Sequence, residues 1–208
     1  MRYYISDQHF FHNNMNTSMD NRGFEDLESM HRYMIDKWNS KVRRGDDVVI
    51  LGDFSIGKGE ETNEILTQLN GNKFLIIGNH DKYLEDRKFD RGLFKWIKDY
   101  MEVSDNKRKV ILSHYPIICY NGQYRMSDAK PKTYMLYGHV HNSYDEILVN
   151  DYVRETRLRT REIKGSDEPV NIPCQMINCF CMFSDYTPLS LDEWIELDNK
   201  RRSKMNDN

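Results

Sequence analysis

Cysteine is scarce in this sequence, and long apolar runs are absent. Four cysteines occur among the 208 residues, namely Cys119, Cys174, Cys179 and Cys181. So few thiols exclude a dense disulfide framework and predict a reducing compartment. No run approaches the roughly 18 apolar residues that span a bilayer, and the N-terminus has no apolar stretch of signal-peptide length. We therefore expect a cytoplasmic protein without a membrane partner.

The close spacing of Cys179 and Cys181 could suggest a metal site. The sequence has no second pair of this kind, however, and both residues lie in an apolar, strand-like run. We interpret them as buried structural thiols.

A large excess of charge of either sign is also absent. The 30 basic and 33 acidic side chains give a net charge of −3, which argues against a general nucleic-acid coat or a polybasic membrane binder. A polar stretch at residues 142–169 nevertheless holds four arginines: Arg154, Arg157, Arg159 and Arg161. We favour a solvated helix face or a surface excursion for this stretch, and a phosphate-binding edge is the alternative. Nucleic acid is thus not expected as a partner, although this patch leaves the question open.

The chain is long and apolar enough to build a core. Its 38% of hydrophobic residues exclude a disordered chain, and its length favours a single domain over residues 1–208 with a frayed tail at 201–208. Short apolar runs predict strands at residues 3–6, 48–51, 74–77, 109–112, 134–137 and 175–183. Apolar residues at helical spacing predict helices at residues 24–38, 61–69 and 191–197. This alternation favours an α/β layered fold.

Five of the seven histidines lie in polar segments near the ends of predicted strands. In chain order, the five segments are Ser-Asp-Gln-His, Leu-Gly-Asp-Phe, Gly-Asn-His-Asp, Leu-Ser-His-Tyr and Gly-His-Val-His. The carboxyl ends of strands in an α/β sheet open onto one edge, where ligand sites form. A lone histidine is more often a hydrogen-bonded core residue, but five such segments predict one shared site.

The residue types in these segments predict divalent metal ions. Imidazole and carboxylate without thiolate suit Mn, Fe, Co, Ni or Zn. Seven side chains are the expected ligands: Asp7, His9, Asp53, Asn79, His114, His139 and His141. One ion rarely takes seven protein ligands, so we expect two ions, with Asp53 as the bridge. Two ions roughly 3.5–4 Å apart suit phosphoryl chemistry.

Glycine stands directly before three of the expected ligands, at Gly52, Gly78 and Gly138. Glycine permits a sharp turn and a close approach of the backbone to another group. One such glycine would be an ordinary turn residue, whereas three in the same relation favour close approach at the site.

The ordered motifs Asp-x-His, Gly-Asp, Gly-Asn-His-Asp, Ser-His and Gly-His-x-His resemble the calcineurin-like metallophosphoesterase superfamily. They run from Asp7 to His141, about two-thirds of the chain. The intervening segments 9–14, 21–24 and 38–39 narrow the resemblance to small single-domain phosphoesterases of bacteria and phages. The resemblance implies a four-layer αββα sandwich of two mixed β-sheets flanked by helices.

The same resemblance implies a role for each residue. One ion would be held by Asp7, His9, Asp53 and His141, and the other by Asp53, Asn79, His114 and His139. His80 would face the substrate and protonate the leaving oxygen. No second acid follows Asp53 closely, which leaves the partner that orients His80 open, with Asp81 the nearest in sequence.

The loop after the first strand offers further substrate contacts. We expect Asn79 and His80 to contact the substrate together with Arg22 and His12. An arginine can bind a phosphate through two hydrogen bonds. The alternative for Arg22 is a surface residue that caps the approach to the predicted helix at residues 24–38.

The expected function is metal-dependent hydrolysis of phosphate mono- or diesters by a hydroxide activated between two divalent ions. Manganese is the favoured metal, and a small phosphate ester is the expected substrate. The alternatives are a protein phosphatase, a nuclease of the same superfamily, or an interaction scaffold that has kept the fold without the activity. The complete ligand set and His80 argue against the scaffold.

Overall fold

Two four-stranded sheets form the centre of the fold in the computed structural model, which describes residues 1–128, 130–162 and 168–206. The first sheet has the order β1–β2–β3–β4, with the strands Arg2–Ile5, Asp47–Ile50, Asn72–Ile76 and Phe94–Lys98. Its strand pairs are all parallel, and an antiparallel bridge between Tyr4 and Leu189 lies at its edge. Parallel pairing brings the carboxyl ends of these strands to one edge of the sheet.

The second sheet is mixed. Its four strands are β5 (Tyr100–Asp105), β6 (Arg108–Ser113), β9 (Thr133–Tyr137) and β12 (Met176–Asn178). Strand β5 pairs antiparallel with β6, whereas β6, β9 and β12 are parallel. The short strands form two hairpin-like pairs: β7 (Met126–Ser127) with β8 (Lys130–Pro131), and β10 (Thr160–Arg161) with β11 (Val170–Asn171).

Four α-helices and four shorter helical turns complete the described residues. The α-helices are α1 (Leu27–Lys41), α2 (Gly59–Gln68), α3 (Tyr144–Leu158) and α4 (Leu191–Asn206). The shorter turns are a π-helix at Met15–Met19 and 3₁₀ helices at Lys82–Glu85, Arg91–Leu93 and Cys181–Ser184. No helix among the described residues combines the length and the apolar character that crossing a membrane requires.

Alternation along the strands explains the layers. In β2, Val48 and Ile50 pack with residues of α1 and α2, whereas Val49 faces the second sheet and packs with its residues. The outer face of the second sheet, including Met135, packs against Val153 of α3. Because successive side chains of a strand point to opposite faces, these three clusters stack helix, sheet, sheet and helix. The expected αββα sandwich is therefore confirmed.

The strand predicted at residues 175–183 is too long. Strand β12 ends at Asn178, and the chain then leaves the second sheet for the first. The N–H of Ser6 donates to the Cys179 carbonyl, and the N–H of Cys181 donates to the Ser6 carbonyl. An apolar run cannot reveal this change of sheet, because both sheets bury it equally. Cys179 and Cys181 are fully buried, which agrees with the interpretation as structural thiols.

The polar stretch at residues 142–169 is mainly a helix, as one of its two interpretations predicts, and not a surface excursion. Most of it forms α3, whose Ser143 side chain accepts a hydrogen bond from the N–H of Asp145 at the helix start. Val153 and Glu146 of this helix are buried, so α3 is an outer layer of the sandwich. The charged exposed face concealed this role in the sequence. Residues 163–167 lie outside the described part of the chain.

The frayed tail is also wrong for residues 201–206, which extend α4. Arg201 donates to the buried Glu146 carboxylate at 2.9 Å, and Arg202 donates to Asp198 at 2.8 Å. These charge pairs fix the helix beyond residue 197, where the prediction ended. Residues 207–208 lie outside the described range.

Candidate metal centre

The loops that follow β1, β2, β3, β6 and β9 meet at one edge of the two sheets. They carry the seven expected ligands, as the strand-end pattern predicts. These loops contain two groups of three residues, and within each group the donor atoms lie within 4.8 Å of one another. One group is Asp7, His9 and His141, and the other is Asp53, His114 and His139. We call them the first and the second donor group.

Close contacts define the first donor group. The Nε2 atoms of His9 and His141 are 3.2 Å apart, and Nε2 of His141 is 3.6 Å from Oδ1 of Asp7. Asp7 also accepts hydrogen bonds from the N–H of His139 at 2.9 and 3.1 Å. The three donors are thus packed around a common point, and Asp7 ties them to the neighbouring loop.

Asp53 lies between the two groups. Its Oδ2 atom is 3.4 Å from Nε2 of His114 in the second group and 3.6 Å from Nε2 of His9 in the first. Oδ1 of Asn79 is 3.0 Å from Nε2 of His114, which adds an amide oxygen to the second group. One carboxylate oxygen of Asp53 thus faces a histidine of each donor group.

These spacings fit metal coordination. Bonds of about 2.0–2.2 Å to nitrogen or oxygen place neighbouring ligand atoms roughly 2.9–3.6 Å apart around a tetrahedral or octahedral ion. The donor contacts above fall between 3.0 and 3.6 Å. The His9 and His141 nitrogens also face each other, which two neutral rings tolerate only with a proton or a metal between them. The donor set therefore fits divalent ions.

Strained backbone accompanies the donors. Five of the seven expected ligands have φ between 48° and 71°: Asp7, His9, Asp53, His139 and His141. This left-handed region costs non-glycine residues on the order of 1–3 kcal/mol each and persists where the surroundings impose it. Asp and His tolerate it better than most residues. The packing of the loops imposes these conformations and aims the side chains at the site.

The three glycines are explained by side chains from other loops. A Cβ atom on Gly52 would overlap the His114 ring, and one on Gly78 would overlap the Asp53 carboxylate. A Cβ atom on Gly138 would lie 2.5 Å from Oδ2 of Asp7. Each glycine thus makes room for a ligand that another strand delivers.

We expect Gly52→Ala to disturb the second donor group. Gly52 has a φ of 88°, and the new methyl group would displace His114. The free energy of unfolding should fall by about 1–3 kcal/mol, and Mn²⁺ binding to the second donor group should weaken. Thermal melts and metal titration measure both effects. Gly45→Ala is the matched control, because a Cβ atom there meets nothing within 4 Å; an equal loss in the control would contradict the explanation.

Burial and neighbouring charges set the protonation of the donors. Burial raises the pKa of Asp53, but the hydrogen bond and charge of His114 outweigh it and hold the pKa at about 2. Burial lowers the pKa of His9 to about 2. An ionised carboxylate and a neutral imidazole are the forms that bind metal ions.

Asp81, the nearest candidate in sequence for a partner of His80, makes its hydrogen bonds elsewhere. Its carboxylate accepts hydrogen bonds from the backbone N–H groups of Asp53, Phe54 and Gly78 at 2.8–3.0 Å. It is buried, and burial raises its pKa to about 7. Asp81 instead ties the loop after β2 to the loop after β3.

His80 borders the centre without belonging to either donor group. Its N–H donates to Oδ1 of Asp53 at 2.7 Å, and its ring centroid is 5.3 Å from that of His9. The ring of His12 is 5.5 Å from His9 and 6.2 Å from His80. Both rings are partly exposed, so they line the approach to the donors.

Arg22 has neither of the roles that the sequence suggested. Its side chain is fully buried, and its guanidinium donates to the Asp7 and Gln8 carbonyls at 3.0 and 2.5 Å and to Asp20 at 2.8 Å. A guanidinium held in this way does not reach a substrate, and it does not cap α1, where Asp26 is the N-cap. Arg22 supports the segment that carries two ligands.

Asp20 is a functional neighbour that the sequence analysis missed. Its Oδ1 atom is 2.7 Å from Nδ1 of His141. Burial raises its pKa, but the hydrogen bond and charge of His141 and the charge of Arg22 outweigh burial, and the net shift is downward. The segment around Asp20 carries no strand-end motif, and only its position in the sequence between His9 and α1 could have drawn attention to it.

Two arginines of the polar stretch, Arg154 and Arg157, are engaged along helix α3. Helix α3 begins three residues after His141, and Arg154 follows Tyr144 by ten residues, which is about 15 Å along the axis. Arg154 pairs with Asp151 at 2.9 Å. Arg157 donates to the Cys174 carbonyl at 2.8 Å. These contacts and distances do not form a phosphate-binding edge beside the site.

The αββα sandwich carries clustered histidine, aspartate and asparagine donors at its strand ends, as the sequence motifs predict for a metallophosphoesterase. The model of the calcineurin-like phosphoesterase family matches residues 3–171, and the chain belongs to this family.

Relatives support the assignment along nearly the whole chain. An uncharacterised protein of Methanocaldococcus jannaschii is 30% identical over 95% of this chain and 91% of its own. The Gene 66 protein of Mycobacterium phage D29 is 28% identical over 77% of this chain and 84% of its own. A solved structure of a protein of unknown function from Aquifex aeolicus has a TM-score of 0.64 at 26% identity and covers 95% of this chain and 98% of its own.

Proposed function

We propose that this protein is a metal-dependent phosphoesterase that hydrolyses small phosphate mono- or diesters at a two-ion centre. The position of Asp53 between the two donor groups, with one oxygen 3.4 and 3.6 Å from a histidine of each, carries the proposal. When bound there, two divalent ions would activate water for attack on phosphorus and neutralise charge on the phosphate. Nitrogen and oxygen donors without thiolate favour manganese, with iron, nickel, cobalt or zinc as alternatives.

His80 is the proposed general acid. Its backbone is anchored to Asp53, and its partly exposed ring borders the donors. An imidazole in this position can hold a proton and deliver it to the leaving oxygen. Asn79 and His12 are the proposed substrate contacts, because both lie at the approach to the donors. No covalent attachment of the substrate to the chain is required.

A small substrate agrees with the charges of the chain. The net charge of −3 gives no long-range attraction to a polyanion, and Arg154 and Arg157 of the arginine-rich stretch contact other groups of the chain. Recognition of phosphate would then be local to the centre. The four scarce cysteines are unbridged, and we infer a reducing, cytoplasmic location from them.

The proposal predicts metal-dependent turnover of generic esters. The chelated chain should be inactive on bis-p-nitrophenyl phosphate and p-nitrophenyl phosphate. Activity on at least one of them should return with Mn²⁺, Ni²⁺, Co²⁺ or Zn²⁺, because the donors need an ion to activate water. Initial rates with each metal in turn, with Mg²⁺ as a poorly matched ion, measure the effect. A chain that binds two ions and hydrolyses neither ester would favour the scaffold.

A salt series separates the small-substrate proposal from a nuclease. Hydrolysis of the nitrophenyl diester should change little with ionic strength. Binding of a short oligonucleotide through six to ten phosphates would instead weaken roughly 10³–10⁵-fold between 50 and 200 mM salt. Tight, steeply salt-dependent binding that is lost on neutralising Arg154, Arg157, Arg159 and Arg161 would favour the nuclease.

A further inference from the structure

His141 is held on three sides. One ring face stacks on Phe180, with the centroids 4.7 Å apart and the planes at 25°. Nε2 points at the first donor group, and Nδ1 is 2.7 Å from Oδ1 of Asp20. A carboxylate can only accept a hydrogen bond, so Nδ1 carries the proton and Nε2 keeps its lone pair for a metal ion.

His114 of the second donor group has a different partner at Nδ1. Nδ1 of His114 is 2.8 Å from the backbone carbonyl of Leu51, which is a neutral acceptor. The carbonyl fixes the same tautomer, but a hydrogen bond to an ionised acceptor is roughly twice as strong. His141 and His114 therefore differ in the charge of the acceptor behind Nδ1.

Arg22 connects Asp20 to the rest of the first donor group. The guanidinium donates to Oδ2 of Asp20 through Nε and Nη2 at 3.1 and 2.8 Å, which leaves Oδ1 to His141. The same guanidinium donates to the backbone carbonyls of Asp7 and Gln8, the two residues that precede His9. The buried Arg22 thus fixes the Asp20 carboxylate in place for His141.

We propose that Asp20 is the positioning residue of the first donor group, which holds the Nδ1–H tautomer of His141 and strengthens its Nε2 as a metal ligand. The proposal rests on the two-ion centre of the proposed function. Asp20 does not touch the substrate or the ion. It acts through His141, and its influence is confined to one of the two ions.

Metal titration of the full chain tests the proposal. Asp20→Asn should weaken binding of one Mn²⁺ by about 10–100-fold, the usual effect of losing such a partner, and leave the other unchanged. Asp185→Asn is the control: this acid contacts Lys37 and Tyr33 on the surface and should bind both ions normally. Equal weakening of both ions by Asp20→Asn, or no weakening, would overturn the proposal.

A double-mutant cycle distinguishes positioning from general support of the fold. If Asp20 acts through His141, Asp20→Asn should add no further loss of Mn²⁺ affinity to His141→Ala. An additive loss would overturn the proposal in favour of a purely structural role. Asp20→Ser serves as a second variant should Asp20→Asn not fold, and the same non-additivity is expected.

Zinc-loaded protein gives a readout independent of activity. The Nδ1–H proton of His141 is identified as the resonance that His141→Ala removes. In the proton NMR spectrum, this resonance should lie far downfield in the unmodified protein and shift upfield in Asp20→Asn, because a hydrogen bond to a carboxylate is stronger than one to an amide. An unchanged resonance would contradict the assignment.

The proposal can fail separately from the proposed function. A chain that binds two ions and loses one selectively in Asp20→Asn, yet hydrolyses no ester, would support the positioning role and contradict the function. A chain that hydrolyses esters but keeps both ions in Asp20→Asn would do the reverse. A chain that binds no ion would overturn both.

Discussion

Asp53→Asn should deprive the protein of both ions. The Oδ2 atom of Asp53 faces histidines of both donor groups, so removal of its charge leaves each ion without its shared anionic ligand. Loss of an outer partner alone costs 10–100-fold in metal affinity or activity, and the loss of a shared ligand should exceed about 10²-fold in kcat/KM. Metal content after dialysis should fall from near two equivalents of Mn²⁺ to below one.

Asp47→Asn is a matched control for this change. Asp47 begins the strand that leads to Asp53, and its carboxylate contacts Asn72 and Arg2 far from the donors. It should retain both ions and full activity. Loss of a single ion in Asp53→Asn, with the other bound at its normal affinity, would show that Asp53 does not bridge.

His80→Ala should impair catalysis according to the leaving group. If His80 protonates the departing oxygen, hydrolysis of alkyl esters should slow by about 10²–10⁴-fold, the usual contribution of general acid catalysis. Esters of p-nitrophenol should lose much less, since nitrophenolate departs without a proton. Initial rates for matched alkyl and nitrophenyl diesters give the comparison within one variant.

Metal content separates this role from that of a ligand. His80 lies outside both donor groups, so His80→Ala should retain both ions. Its N–H still donates to Asp53 after the substitution, which preserves the shared ligand. Equal losses on both esters would count against the general acid, and loss of an ion would make His80 a ligand.

Much of the centre follows from local sequence. Each ligand comes within a few residues of the end of a parallel strand, where β-branched and apolar residues give way to Gly, Asp, Asn or His. Because parallel strands of one sheet end at one edge, the strand ends and residue types bring Asp7 and Asp53 together, whereas His114 comes from the second sheet. The close approach at the three glycines could be predicted for the same reason, because each glycine directly precedes a ligand and leaves room for another ligand's side chain.

Other elements escape such reasoning because their signal is weak or divided. Strands β4 and β5 are exposed or half-buried along much of their length, and charged residues interrupt their apolar ones. Helix α3 buries Glu146 and Val153 but exposes several charges and apolar residues, which made it resemble a surface excursion. Partial burial leaves a pattern too faint to separate a packed helix from a solvated one.

Only the tertiary structure decides the partners that support the ligands. Asp20 and His141 are 121 residues apart in the sequence. Arg22 was expected to bind phosphate, but its guanidinium donates to two backbone carbonyls. Asp81 is adjacent to His80 in sequence, yet its carboxylate turns to three backbone N–H groups. The sequence thus determines which donors reach the strand edge, because a strand end is a local property. The packing of the loops decides the hydrogen-bond partner of each donor, because a buried polar group bonds to the groups that distant segments place within reach.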